Sequence, residues 1–271
     1  MKVIIIHHPK PYHLDDFLAV SLLLYKYSSD DVTRITVSQF SLEDAEKLVS
    51  QYDLVIAVDI GKVLYISPNI KIYDHHHDID IPSSLVLVLK HEFPELWRKI
   101  TNIPKLRNLI NFIDFRDRFG LPKALQKFSI SDNVGIIRFY DILLSQEPSR
   151  EVGEAFINLV NSYYSVSEKV SVYNISGIKV AVTEEDPKKL PTSVIFDVID
   201  AELLLQPNVR NLNHTSVIKN SLSPKYNSLN LANLKSRYNV VFLHPNGFLA
   251  VIDKPVSRLK HEIDKIVNLI T

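Results

Sequence analysis

Asp53-Leu54-Val55-Ile56-Ala57-Val58-Asp59 and Ile70-Lys71-Ile72-Tyr73-Asp74-His75-His76-His77 are short apolar runs that break off at groups able to bind a metal ion. Apolar runs of this length bounded by polar residues read as strands. Working outward, Val3-Ile4-Ile5-Ile6 is a β-branched run that suits a central strand and stops at His7-His8-Pro9, where proline cannot continue the ladder. Asp16 to Tyr25 reads as a helix, with Asp15 or Asp16 placed to cap its first turn. Arg34 to Val37 then reads as a strand and Leu42 to Gln51 as a helix. Strand, polar loop and helix in that order begin an α/β crossover. The expected fold is therefore a doubly wound, mainly parallel sheet. Ligands collect at the carboxyl edge of such a sheet, where the strand ends at Ile6, Asp59 and Tyr73 gather.

Further along, helical segments are expected at Ser83 to His91, Leu106 to Arg116, Val134 to Leu144 and Ser149 to Val166, separated by loop signals at Pro94, Pro104, Pro122 and Pro148. Strand character restarts at Val170 to Tyr173 and Ile178 to Val182, and again at Asn239 to Leu243 and Phe248 to Ile252 around the turn His244-Pro245-Asn246-Gly247. Val256 to Leu269 reads as an amphipathic helix, and the Asn-rich stretch from Asn208 to Asn239 as irregular but ordered. These signals divide the chain into a catalytic domain over 1–167, a linker over 168–177 and a smaller α/β domain over 178–271 that binds substrate and closes over it.

Of the 271 residues, 46% are apolar and only 6 are glycine, which suits a globular protein with a sizeable core. No cysteine is present, which excludes thiolate metal sites and cysteine nucleophiles, so any metal must take oxygen or imidazole ligands. The apolar runs fall far short of the roughly 20 residues that cross a bilayer, so no membrane association is expected and cytoplasmic residence is the default. Formal charge is zero, but the first 175 residues carry 19 basic against 22 acidic groups and the remainder 12 against 9. The second part can thus grip an anion, although no basic tail marks a broad nucleic-acid track. The oligomeric state stays open, a homodimer among the options.

Four separated segments supply candidate ligands: His8 with His13 and Asp15; Asp59; Asp74-His75-His76; and Asp114 with Asp117. Each has an ordinary reading by itself. A lone loop histidine is a polar surface group, Asp59 a cap or salt-bridge partner, and the pair Asp114 and Asp117 a solvated face beside Arg116 and Arg118. Together they provide enough groups for two ions, and metal charge relieves the repulsion in so dense a set of carboxylates. His13 and Asp15 are two apart in a loop, and Asp114 and Asp117 three apart on a helix face, so either helix aspartate can supply a ligand.

These segments resemble the DHH phosphoesterase superfamily, and most closely its MYG1-like branch. Asp74-His75-His76 is similar to the signature triplet, and His8 to Asp16 to the branch's opening, in which a histidine replaces the first aspartate of the paired-aspartate element. Asp59-Ile60-Gly61 is similar to the second element, Ile113 to Gly120 to the Asp-x-x-Asp-Asn-Gly segment, and His244 to Phe248 to a late His-x-x-Gly-Phe element. The sequence departs from the family where Pro9-Lys10-Pro11 stands without the glycine that follows the first histidine, and where Arg118 replaces asparagine. The resemblance implies two divalent ions, manganese by preference. His8, His13 and Asp59 would surround one ion and Asp15, Asp59, His75 and Asp117 the other, with Asp59 as the bridge. His76 would face the scissile phosphate and Asp74 would orient the histidines, making His76, Asp74 and Asp59 the catalytic set.

The activity this implies is manganese-dependent phosphodiester cleavage, as a 3′-5′ exonuclease on short or single-stranded RNA or DNA. Lys10, Arg116, Arg210, His214, His244, Asn246 and Gly247 are the candidate substrate contacts. A pyrophosphatase or a phosphodiesterase of small nucleotides and cyclic dinucleotides needs the same metal pair with a tighter, more basic pocket. A metal-bound nucleic-acid-binding or scaffold protein without turnover is the third option. Neither a Walker loop nor Gly-x-Gly-x-x-Gly nor Gly-x-Ser-x-Gly occurs, which speaks against ATPase, dehydrogenase and serine hydrolase chemistry.

Overall fold

A computed structural model describes residues 1–37, 41–60, 67–130 and 146–271. The chain forms two compact units, Met1–Val160 and Asn161–Thr271. The first is built on four strands, β1 (Lys2–His7), β2 (Asp31–Thr36), β3 (Leu54–Val58) and β4 (Ile70–Tyr73), in the spatial order β2-β1-β3-β4. All three pairings are parallel. Every residue of β3 and all but the first of β1 are buried, as expected of central strands covered on both faces. On one face Ile4, Ile6, Val55 and Ala57 pack with Ala45 of α2 (Leu42–Val49). Helices α1 (Leu14–Lys26), α3 (Ser84–Glu92) and α5 (Pro104–Phe119) pack against one another, and α1 and α3 also meet the sheet. Burying each large aliphatic side chain in these layers contributes about 1.5–3 kcal/mol.

The strand order reverses beside β1, whose neighbours are β2 and β3. The crevice beyond the carboxyl ends of β1 and β3 is therefore the switch point at which an open α/β sheet takes its ligands. Helix α1 begins at Leu14, earlier than its sequence pattern indicates, with His13 at the N-cap position and no side-chain cap bond. Asp15 and Asp16 are buried in its first turn and so do not act as the cap. Two further helices, α4 (Pro94–Asn102) and α6 (Leu121–Lys127), occupy stretches whose prolines read as loop signals. Proline in the first turn of a helix forfeits no hydrogen bond there. Gly120, at φ 85°, turns the chain between α5 and α6 in a region that favours glycine. The helix expected over Val134 to Leu144 lies outside the described residues.

Helix α7 (Arg150–Lys169) runs across the boundary of the two units. Residues 168–177 hold its end and β5 (Ser171–Ile175). The second unit carries a six-stranded sheet in the order β5-β6-β7-β8-β10-β9, with β6 (Ile178–Val182) parallel to β7 (Leu203–Asn208) and the other pairs antiparallel. The stretch from Asn208 to Asn239 is more regular than its composition indicates, because β8 (Asn211–Lys219) is a nine-residue strand. β9 (Val240–Leu243) and β10 (Leu249–Ile252) form the expected hairpin. The terminal helical segment is broken into Val256–Leu259 and Ile263–Ile270 by a 3₁₀ turn. The fold is thus α/β throughout, with a four-stranded parallel sheet in the first unit and a six-stranded mixed sheet in the second, smaller unit. No described helix is long and apolar enough to cross a membrane.

Glu92 ties the far end of the first sheet together. Its carboxylate lies 2.5 Å from the Lys26 ammonium and 2.6 Å from that of Lys71, and accepts hydrogen bonds from the hydroxyls of Tyr27 and Tyr73. Burial pushes its pKa up, but the two lysines and Tyr73 outweigh that and hold it at about 2 against an ordinary 4.5. This depression corresponds to about 3 kcal/mol of stability, present above pH 4.5 and lost as pH falls toward 2. Glu92→Gln should accordingly lower the unfolding free energy by about 2–4 kcal/mol at neutral pH, with the deficit shrinking in acid. Urea melts of both proteins between pH 7 and 3 test this, and a deficit that stays constant below pH 4.5 is incompatible with it.

Candidate metal centre

The site is assembled at the carboxyl edge of the first sheet. Asp59 follows β3 with φ at 54°, a left-handed conformation uncommon outside glycine and tolerated best by Asn and Asp. Its N–H donates to the carbonyl of Tyr73 at 3.0 Å, which locks the two strand ends together just before Asp74. Asp15 comes from the first turn of α1, His13 from the residue before it, and Asp117 from the last turn of α5.

Two carboxylates straddle two histidines. Asp59 places Oδ2 3.8 Å from His13 Nδ1 and Oδ1 3.5 Å from His75 Nε2. Asp117 repeats the arrangement, with Oδ1 3.2 Å from His13 Nδ1 and Oδ2 2.6 Å from His75 Nε2. Two ligand groups result, in each of which the donor atoms lie within 4.8 Å of one another: His13, Asp15, Asp59 and Asp117; and Asp59, His75 and His76. Asp59 belongs to both.

The donor set fits a divalent cation. Both oxygens of Asp15, Oδ1 of Asp59, Nε2 of His75 and Oδ2 of Asp117 are buried without a hydrogen-bond partner among the described residues. The short His75–Asp117 approach is out of hydrogen-bond alignment, as for two ligands that face a common point. Burial and the neighbouring charges of Asp117 and Asp59 push the Asp15 carboxyl well above its usual range. Burial alone would lower His75, yet Asp117 and Asp59 raise it to about 10. Asp117 is itself held low, burial being outweighed by His13 and His75. The protein groups by themselves thus demand positive charge at this point, and a hard or borderline ion bound by oxygen and imidazole provides it.

The other candidate residues fall into several places. His76 donates through Nδ1 to the Asp74 carboxylate at 2.7 Å, and Asp74 also stands 3.8 Å from His77, so one buried carboxylate orients neighbouring histidines. His8 is in neither ligand group. Its Nδ1 meets the carbonyl of Pro9 and its ring stacks on His13. His7 is instead the fully buried histidine of that pair, 3.5 Å from Asp16. Asp114 is also outside both groups, because one oxygen accepts from the backbone of Ser83 at 2.8 Å and the other from Arg118 at 2.5 Å. Lys10 pairs with Glu147 at 2.7 Å, and Glu147 also holds Tyr12 and Arg34. Arg116 lies close enough to His13 for its charge to act there.

Beside the ligand groups lies a pocket of about 320 Å³ bordered by His13, His75, His76, Asp117 and Arg118. Arg118 carries a sequence signal in its i,i+4 spacing from Asp114, which reads as a helical ion pair. In the second unit Arg210, His214 and His244 line one groove of about 660 Å³ whose floor includes Val241 and Phe242. Asn246 and Gly247 form the adjoining turn, in which the N–H of Asn246 donates to His244 Nδ1 and Gly247 adopts φ 66°.

Divalent cation should raise the melting temperature of the full chain. At a hundredfold excess over Kd, binding adds about 2.7 kcal/mol. Asp15→Asn, which replaces a carboxyl whose oxygens have no hydrogen-bond partner among the described residues, should melt no lower than the parent in EDTA yet lose most of the manganese-induced rise. Thermal melts with and without Mn2+ read both effects. An undiminished rise in this variant is the result that counts against a ligand role for Asp15.

No model of a known protein family matches the chain, and no curated protein sequence does. Among solved structures it is similar to an exopolyphosphatase-related protein from Bacteroides fragilis, with 12% identity over 98% of this chain and 92% of that one and a TM-score of 0.28. It is similar to RecJ in complex with Mn2+ from Thermus thermophilus, with 10% identity over 98% of this chain and 51% of that one and a TM-score of 0.26. For CDC45 from Entamoeba histolytica the values are 8%, 99%, 95% and 0.32. Scores of this size carry no argument about activity, which rests on the chain's own residues.

Proposed function

We propose that the chain is a manganese-dependent phosphodiesterase of the DHH type, which removes nucleotides from the 3′ end of short or single-stranded RNA or DNA. The observation that carries this reading is the pair of straddling carboxylates. Asp59 and Asp117 each direct one oxygen toward His13 and the other toward His75, and Asp59 belongs to both ligand groups, which suits a carboxylate that would be shared between two ions. Asp15 would complete the first ligand group, and His75 would serve the second with Asp59.

Two bound divalent ions supply a water of lowered pKa and neutralise charge on the phosphoryl oxygens. The chain's own residues do the rest. Asp74 engages His76 through Nδ1 and fixes the ring, leaving Nε2 of this half-exposed histidine to hold or deliver a proton beside the pocket. The phosphate would sit in the pocket bordered by His13 and His76. In the second unit, the groove of Arg210, His214, His244 and Phe242 offers apolar surface with a cation at its margin, which suits a nucleotide's base and phosphate.

Metal-stripped protein reloaded with manganese should shorten labelled single-stranded oligonucleotides from the 3′ end, faster than it cleaves generic monoesters. His76→Ala should keep at least one metal bound and lose turnover by about a hundredfold or more, the range of a general acid–base contribution. Product ladders from 3′- and 5′-labelled RNA and DNA, run beside pyrophosphate and cyclic dinucleotides, give the answer. Turnover confined to pyrophosphate or cyclic dinucleotides transfers the assignment to a small-substrate hydrolase. A folded, metal-loaded but inert protein transfers it to a scaffold.

A further inference from the structure

Arg118 has more donors than its structural contacts use. It stands one residue after Asp117, near the end of α5. Nη1 donates to the carbonyl of Ile79 at 2.9 Å, Nη2 to Asp114 at 2.5 Å, and the ring of Phe119 lies 5.2 Å from the guanidinium carbon. These bonds engage two of the five N–H groups of a guanidinium. Nε is buried with no acceptor among the described residues, and leaving a buried donor unpaired costs about 1–3 kcal/mol. Fastening α5 to the segment at Ile79 uses one N–H each of Nη1 and Nη2 and leaves donors over. Arg118 also borders the metal pocket, and of the described residues that line it, it alone carries a permanent positive charge.

That position has an electrostatic purpose. An anion entering the pocket meets Asp117 and Asp78 on its walls, and a fixed cation offsets them. The planar fork of arginine matches two oxygens of a phosphate, and it works best when its plane is held. Asp114 and the Ile79 carbonyl hold it. Asp114 is itself only partly spent on Arg118, because its other oxygen caps the backbone of Ser83.

We propose that Arg118 is the anion-binding residue of the metal pocket, receiving the non-bridging oxygens of a phosphate group, and that Asp114 is its positioning residue. The identity of the ligand rests on the phosphoester reading; the binding role does not depend on turnover.

The test is calorimetric binding of inorganic phosphate to the full chain, in Mn2+ and separately in EDTA, with metal content measured on each sample. Arg118→Gln should weaken phosphate binding at least about tenfold at unchanged manganese stoichiometry, the size of a lost charge-assisted bond. Arg118→Lys, which keeps the charge and provides a second chance of a folded variant, should recover only part of the loss. Asp114→Asn should fall between Arg118→Gln and the parent. Guanidinium ion added to Arg118→Ala should restore part of the affinity, an effect a merely structural residue would not show. Phosphate affinity equal to the parent's in folded Arg118→Gln or Arg118→Lys overturns the proposal. So does a parent protein that binds no phosphate at millimolar concentration in either condition. A parent that binds phosphate through Arg118 yet hydrolyses no substrate leaves this inference standing and removes the hydrolase reading alone.

Discussion

Mutual repulsion among Asp15, Asp59 and Asp117 is the constraint that the first unit is organised around. Their ligand atoms lie within 4.8 Å of each other and of His13, and Asp15 and Asp59 are buried. Water cannot screen charges so placed, and the groups that stand against Asp59 and Asp117 include His13 and His75, which carry charge only when protonated. Such a cluster persists only where the surrounding structure is stable enough to hold it and where a cation can take up the charge.

The surrounding structure supplies that stability through anchors set one layer back from the ligands. The Glu92 network joins α1, α3 and β4 through Lys26, Lys71 and the two tyrosines, bracing the strand that leads into Asp74. Asp114 binds the start of α3 from α5, fixing the helix that presents Asp117 three residues later. Glu147 holds Lys10 and Tyr12 on the loop that leads into His13 and ties both to Arg34 of β2. Each anchor is a carboxylate supplied with donors, whereas each ligand carboxylate is left short of them. The two populations of acidic residue are therefore distinguished by their hydrogen bonding, not by their burial.

That distinction explains what could be read from the sequence. The strand ends and the convergence of His13, Asp15, Asp59 and His75 follow from apolar runs that stop at metal-binding groups, because a parallel sheet collects its strand ends at one edge. Asp114 and Asp117 are indistinguishable in a linear reading, since both face the same side of a helix. Only the tertiary contact with Ser83 assigns one to the scaffold and leaves the other at the site. His7 and His8 present the same difficulty. The first is the last residue of β1, a strand covered on both faces, while the second meets Pro9 and His13 at the start of the loop. The extra helices α4 and α6 were hidden because proline punctuates helix starts as well as loops. The long strand β8 was hidden because Asn211 and Asn213, poor strand formers, occupy its exposed first half.

The left-handed backbone at Asp59 sets a narrow alphabet for that position. Glycine would satisfy the torsion and supply no ligand. Glutamate would keep the charge but favours right-handed conformations and carries its carboxylate one methylene farther from the strand end. Asparagine accepts the torsion while surrendering the charge. Aspartate alone meets both demands, so steric and electrostatic selection act on one residue through independent physics. A chain that drifted in function while keeping this fold would be expected to record the event here, as an asparagine or glycine where the backbone still permits it.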